Sequence, residues 1–511
     1  MHSNETGGLL LSGGVVLHPD GDLDDPRVED IFIRDGRIAA LGEEAGRHAR
    51  DAGVRKMDAA GKLVVPGFIN AHYHSHDVLL RGSFEGLPLD VWALYASPQH
   101  YARRSNREIH LRTLAGAAEC LLSGITAVQD MVTVVGPDRE HCDAIVDAYQ
   151  ASGLRVALGL QISDRAPADA AYGWRTQLPP ALLEPLTVAP DLRATQALVE
   201  SLLRQAPRAG IDWVLAPSAP QRCSEALLSW AAAQSRETGA QVFTHVYEAK
   251  IQALQAREQY GRDGGSYITL LERLGLLGPK LTIAHGVWIS DPEIRAMGAA
   301  GANVSVNATS NLKLRNGVAP IRDYLAHGVG VAVGCDNCSG NDAQNIFESM
   351  KLFALFLGLQ SPAGGTHSAR KAYAAATLGG ARALGRQDSL GAIRPGFQAD
   401  LVLLDLDDPA FMPRNQLVNQ LVYAATPRAV HTTIVGGRVV VENGRLVDQD
   451  LSALAQEVGQ AAAALKADFD GVVRKNHALA QCCLEISIKG EDVPFDLDQF
   501  HLLGKVGRTR P

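Results

Sequence analysis

The sequence predicts an α/β protein: a (β/α)8 barrel of the TIM type carrying a small composite β-sandwich built from both chain ends. Three observations lead there. Between residues 66 and 395, short apolar runs rich in β-branched residues alternate with longer segments of helical periodicity, the pattern of parallel strands buried on both faces. No GxGxxG turn marks the competing doubly wound sheet. The two flanks read as short strands and tight turns, and neither has strands enough to bury a core alone.

The runs, in order, are GFINAH (67–72), ITAVQDM (125–131), RVALGLQI (155–162), WVLAP (213–217), QVFTH (241–245), LTIAHGV (281–287), NVSVN (303–307) and VGVAVGCD (329–336). Helical periodicity fills the intervals, as in 107–123 and 225–238. Upstream, GLLLSGGVVLHP, DIFIRDGRIAALG and KLVVP are strands around an Asp35-Gly36 hairpin turn. Downstream, ADLVLLDL and HTTIVGGRVVVENGRLV repeat the pattern with Gly-Gly and Asn443-Gly444 turns. The expected division is 1–65 with 396–448 as the sandwich, 66–395 as the barrel, and 449–511 as a C-terminal helix and tail. Leu451, Leu454, Val458, Leu465, Phe469 and Val472 recur at roughly helical spacing, predicting a helix over 451–473; beyond it no pattern is readable.

With 511 residues, 46% hydrophobic and 20% charged, the chain reads as an ordinary globular protein without a disorder signature. A net charge of −8 argues against nucleic acid or acidic lipid as a partner. MHSNETGGLL lacks the layout of a signal peptide, and no run of 18 apolar residues suggests a membrane span. Seven scattered cysteines fit a reduced, cytoplasmic chain. Cys335 and Cys338 form a CxxC with no second pair to complete a zinc site, and read as structural.

In such a barrel, catalytic groups sit at the C-terminal ends of the strands. The first strand ends in His72-Tyr73-His74, the fifth in His245, the sixth in His285 and the eighth in Asp336. Imidazole and carboxylate are the donors that a borderline divalent ion prefers, so the rim predicts a metal site. Tyr73, between the paired histidines, points to the other face of an extended chain. Glu248 follows three residues after His245 and, if the chain has turned there, reaches the metal-bound water as a proton carrier.

PGFINAHYH, THVYE, AHGVWIS, SNLKLRNGVAPIRDYLAHGVGVAVGCDN and ARALGRQDSLGAIRPGFQADLVLLD resemble the amidohydrolase superfamily. Within it they are most similar to the cytosine-deaminase, guanine-deaminase and triazine-hydrolase branch, over about residues 8–448. The resemblance implies that His72, His74, His245 and Asp336 bind one divalent metal ion, zinc or iron. It also implies that His285 orients the attacking oxygen and polarises the substrate, that Glu248 shuttles protons, and that Asp336 takes a proton from water. Binuclear relatives carry a lysine at the end of the fourth strand; WVLAPSAPQRCS has none, so a mononuclear site is expected. A homodimer or larger assembly is implied as well.

The expected activity is that of a metal-dependent deaminase, replacing an amino group on a nitrogen heterocycle or amidine-type carbon. One alternative keeps the same residues but hydrolyses an amide C–N bond, or displaces chloride or an alkylamine from a triazine-like ring. The other is a non-catalytic scaffold, which would usually have lost metal donors. Candidate substrate contacts are His76, Arg81, Trp92, Gln221, Asn307 and Asn311, with Arg222 beside Gln221; amide and guanidinium donors suit a polar or anionic planar ring.

Overall fold

A computed structural model describes residues 8–51, 53–361 and 367–495. The barrel strands are β1 Phe68–His74, β2 Ile125–Val132, β3 Arg155–Ile162, β4 in two pieces (Ile211–Trp213 and Ala216–Pro217), β5 Val242–Val246, β6 Leu281–His285, β7 Asn303–Val306, and β8 as Gly330–Val333 continued by Asp336–Asn337. β1 to β4 pair in parallel order, as do β5 to β8. The two halves join at a parallel bridge between Leu215 and Val242. The ring closes where Asp336 and Asn337 pair with Tyr73 and His74. Closure therefore brings Asp336 at the end of β8 against His72 and His74 at the end of β1.

Local chemistry agrees with these boundaries. Ser105, Asp138, Ser224 and Asn345 cap their helices by accepting a backbone N–H. Gly153 and Gly239 end theirs in the left-handed conformation that lacks a penalty only without a Cβ. The expected strand over 213–217 is broken: Val214 and Leu215 lie between the two short pieces of β4, and Pro217 has no N–H to extend a ladder.

The flanking strands of both chain ends join in one nine-stranded hydrogen-bonded sheet. Lys62–Pro66 from the N-terminal side pairs antiparallel with Leu401–Asp405 from the C-terminal side. Leu9, Leu11, Ile31, Ile33, Leu401, Leu403 and Ile434 share one apolar cluster, so the sheet curls over a core drawn from both ends. Its hairpins turn at Asp35-Gly36, Gly436-Gly437 and Asn443-Gly444, each with both residues at positive φ, as type I′ turns require.

The C-terminal helix is longer than its sequence pattern announced, running from Leu451 to Asp492 over 42 residues. The tail beyond residue 495 lies outside the described residues. No helix of the described residues is long and apolar enough to cross a membrane.

Candidate metal centre and active site

β1 delivers His72 and His74 from one face. Tyr73, on the other, is fully buried against Gly116 of the helix Asn106–Leu122, a packing role. His245 and His285 close β5 and β6, and Asp336 opens the last piece of β8. His285 has φ 73° and Asp336 φ 64°. Side-chain-bearing residues enter this region at a cost of roughly 1–3 kcal/mol each, and such strain concentrates at functional sites. Tyr247, at φ 52°, turns the chain just after β5 and brings Glu248 back over the rim, as its reach to the site required.

Each of the four imidazoles has its Nδ1 set against a protein oxygen. Nδ1 of His74 lies 2.6 Å from Met131 O, that of His245 2.6 Å from Ser218 O, that of His285 2.8 Å from Asn311 Oδ1, and that of His72 3.4 Å from Gln129 Oε1. These oxygens only accept, so each ring carries its proton on Nδ1 and turns the Nε2 lone pair inward. The Nε2 atoms of His72 and His74 each lie 3.5 Å from Asp336 Oδ1. His285 Nε2 stands 3.6 Å from Glu248 Oε2 and 3.9 Å from Asp336 Oδ2. Donor atoms within 4.8 Å of one another form three overlapping groups: His72, His245 and His285; His72, His74 and Asp336; Glu248, His285 and Asp336. The geometry thus gathers the four expected ligands and does not separate His285 from them.

All of these side chains are buried, and His72 Nε2 has no hydrogen-bond partner. Burial, reinforced by the neighbouring imidazoles, holds the pKa of His72 and His245 well below the ordinary histidine range. Burial and the charge of Asp336 raise that of Glu248 against the pull of His285. Imidazole lone pairs turned inward beside the Asp336 and Glu248 carboxylates leave the cluster with a deficit of positive charge, which burial makes costly. A divalent cation fits that deficit, and the Nε2 and carboxylate donors fit a borderline one. No lysine of the described residues lines the adjoining cavity.

A cavity of about 240 Å³ opens onto the cluster, small enough for a compact ligand. His76, Trp92, Gln221 and Arg222 line it. His76 Nδ1 accepts the N–H of Thr133 at 3.1 Å, which places its own proton on Nε2. Trp92 Nε1 donates to Ser339 Oγ at 3.0 Å. Three other expected substrate contacts are corrected. Arg81 is not part of the lining; it pairs with Glu119 and reaches Cys338 Sγ. Asn311 stands behind His285 and orients it, its Oδ1 accepting from Nδ1 at 2.8 Å; Asn307 lies beside it, its Oδ1 accepting from Ser305 Oγ at 3.0 Å. The CxxC is structural: Cys335 and Cys338 are buried and contact Ser349, Gln344 and Arg81.

Several residues escaped the sequence reading. Gln129 behind His72 is a polar residue in an otherwise apolar run, a signal that was legible. Asn316 Nδ2 donates to Glu248 Oε1 at 3.0 Å and Ser310 Oγ to Asp336 Oδ2 at 2.6 Å; both lie in the SNLKLRN stretch after β7, Ser310 within the helix Ala308–Lys313. Asp90, Tyr172 and Trp174 also line the cavity.

Known proteins are similar to this chain over most of its length. The 5'-deoxyadenosine deaminase of Methanosarcina mazei is 30% identical over 459 residues, 90% of this chain and 98% of the relative. The 5-methylthioadenosine/S-adenosylhomocysteine deaminase of Syntrophobacter fumaroxidans is 31% identical over 460 residues, again 90% and 98%. Among solved structures, an adenosine deaminase from Xanthomonas campestris with bound zinc superposes with a TM-score of 0.78 at 26% identity, covering 90% of this chain and 98% of that one. An atrazine chlorohydrolase variant from Arthrobacter aurescens, bound to zinc and atraton, shares the fold at TM-score 0.76 and 23% identity, over 89% and 100%. The profile of the amidohydrolase family matches residues 63–440, a span holding every side chain of the strand-end cluster, and the chain belongs to that family.

Proposed function

We propose that this protein is a metal-dependent aminohydrolase: it replaces an amino group on a ring carbon of a nitrogen heterocycle by oxygen from water and releases ammonia. The observation that carries the reading is the convergence of His72 and His74 Nε2 on Asp336, with His245 Nε2 3.3 Å from that of His74 and every Nδ1 held by a protein acceptor. His72, His74, His245 and Asp336 would hold one divalent ion, and zinc is supported by its presence in the Xanthomonas structure. When bound, such an ion brings the pKa of a coordinated water to about 7 and so supplies a nucleophile at neutral pH.

The chain's own residues do the rest. Asp336, fixed by Ser310 Oγ and the Asn337 N–H, accepts the proton of the attacking water. A new C–O bond forms as the ring nitrogen takes up the C=N electron pair, and Glu248 delivers a proton to that nitrogen. His285, held by Asn311 with its Nε2 lone pair between the two carboxylates, accepts a hydrogen bond from the attacking water and orients it. Collapse to the oxo ring breaks the C–N bond: Asp336 passes the water's proton to the departing nitrogen, Glu248 takes the proton of the new C–OH, and ammonia leaves. The printed names of the relatives are deaminases, which supports ammonia over chloride or alkylamine as the leaving group. The complete donor set argues against a scaffold. A cytoplasmic location suits seven unpaired cysteines, and the family resemblance supports a homo-oligomer.

The test is ammonia release from a panel of aminopurines, aminopyrimidines, pterins and aminotriazines by the zinc-loaded enzyme, run beside chloride-release and amide-cleavage assays. Ammonia from at least one ring substrate, abolished in Glu248→Gln, is the expected result. Chloride or amide cleavage without ammonia overturns it.

A further inference from the structure

Part of the cavity wall carries polar groups that the deamination chemistry leaves unused. Gln221, in the short turn after β4, is 1% exposed, lines the cavity, and has no hydrogen-bond partner on Oε1. Arg222 lines the cavity beside it, with one long hydrogen bond from Nη1 to Ser218 Oγ at 3.4 Å. From the other side of the chain, helix Leu89–Ala96 contributes Asp90, whose carboxylate accepts no hydrogen bond among the described residues. Burial and the charge of Glu248 push its pKa up to about 6 although Arg222 pulls it down, so at neutral pH it is mostly an anion looking for a donor.

Native interiors rarely leave buried polar atoms unsatisfied, and Gln221 Oε1 is such an atom on the wall of this cavity. The chemistry of these groups is specific. A carboxylate only accepts, a guanidinium only donates, and an amide does one of each. The wall therefore complements a ring edge that presents N–H beside C=O. An adenine joined to a sugar through its glycosidic nitrogen has no ring N–H, and its one donor group on the base is the amine that departs.

Resting on the aminohydrolase reading above, we infer that Asp90, Gln221 and Arg222 form a mixed donor–acceptor clamp on the substrate ring, selecting amino heterocycles with a lactam N–H–C=O edge over N-glycosylated adenines. None of the three touches the bond that breaks. They are specificity-determining residues, and their loss acts on KM more than on kcat.

The experiment compares kcat/KM for guanine and isocytosine with that for adenosine and 5'-deoxyadenosine, in the zinc-loaded wild type and in Gln221→Leu, Asp90→Asn and Gln221→Glu. Circular dichroism and zinc content establish that each variant is folded and loaded. The wild type is expected to favour a lactam substrate by about tenfold or more. Gln221→Leu and Asp90→Asn should cut that preference about tenfold through KM, and Gln221→Glu, which keeps the acceptor and loses the donor, should fall between. A wild type that prefers the nucleosides overturns the clamp while leaving the aminohydrolase reading intact. So does a lactam KM that Gln221→Leu leaves unmoved. Absence of ammonia from every substrate overturns the aminohydrolase reading. The clamp is then judged by calorimetry with uracil and xanthine, where equal affinity in wild type and Gln221→Leu rejects it.

Discussion

The Nε2 atoms of His74 and His245 face each other across 3.3 Å, and each ring has its Nδ1 2.6 Å from a backbone carbonyl, of Met131 and Ser218 respectively. With both protons committed to those carbonyls, two lone pairs meet inside the protein. The arrangement is repulsive until a cation sits between them. Stripping metal with a chelator should therefore abolish turnover and also destabilise the fold. Ligand linkage is worth about 4 kcal/mol when free ion stands a thousandfold above its dissociation constant, and calorimetry should show a melting temperature several degrees lower, restored by zinc. Unchanged melting after verified removal would mean the histidines tolerate one another by hydrogen bonding alone.

Asp336 and Glu248 separate by two readouts. Asp336 Oδ1 is shared between His72 and His74, so Asp336→Asn should lower metal content together with kcat. Glu248 contacts His285 and Asn316 and neither His72 nor His74 at the distances seen. Glu248→Gln should retain the metal and lose about 10²–10⁴ in kcat, the usual worth of a positioned proton carrier. Elemental analysis beside steady-state kinetics decides; a metal-free Glu248→Gln protein would make this glutamate a ligand.

Tyr73 lies between two metal-directed histidines, and its burial against Gly116 is testable. A Cβ on Gly116 would collide with the Tyr73 hydroxyl, which itself is buried without a partner. Helix propensity favours Gly116→Ala by up to about 1 kcal/mol, but overpacking costs about 1–3 kcal/mol, so the single variant should be less stable and carry less metal. Adding Tyr73→Phe removes the hydroxyl, and with it the worst of the collision, leaving the ring Cζ and Val78 Cγ2 at 3.1 Å from the new methyl. The double variant should then match or exceed the wild type in chemical denaturation.

What could be read from the sequence depended on how each residue is held. His72, His74, His245, His285 and Asp336 were legible because barrel closure puts strand ends on one rim whatever the details of packing. The residues that aim them were harder. Met131 and Ser218 act through backbone carbonyls, which no side chain announces. Asn311 looked like a ligand contact, yet it holds His285 from behind, because the helix Ala308–Lys313 starts directly after β7 and turns it inward. Arg81 sits on the long loop after β1 and is drawn outward by Glu119. The break in β4 was missed because WVLAP is apolar throughout, and hydropathy does not register a lost ladder.

Asp90 gives a pH prediction. Its pKa is about 6 in the folded protein against an ordinary 3.8, so the folded state binds this proton more tightly than the unfolded chain does. Ionisation then costs stability: nothing below about pH 4, increasing toward pH 6, and constant above. Asp90 is half-buried, and screening reduces the full value of the shift to about 1–2 kcal/mol. Asp90→Asn should raise the melting temperature at pH 8 and leave it unchanged near pH 4. A gain of equal size at both pH values would show that packing, not charge, is responsible.

The C-terminal helix lies outside the matched family span yet backs the cavity wall. Leu479, Ala480, Cys483 and Ile486 pack with Val91, Leu94, Trp174 and Leu178, and Asn476 Nδ2 donates to Leu94 O at 2.7 Å. At its far end, Lys250 Nζ donates to Glu491 O at 2.5 Å, and Gly490 leaves no room for a Cβ against Ile251. Leu94, Trp174 and Ile251 are themselves cavity residues, so one helix fixes three separate pieces of the wall. The contacts named here involve none of the strand-end histidines. Ile486→Asp would bury a carboxylate in that apolar cluster, a penalty large enough to loosen the helix locally. The expected result is a KM raised about tenfold, early tryptic cleavage within 451–492, and near-normal zinc content. An unchanged KM in protein whose helix is demonstrably clipped would show that the wall stands without it.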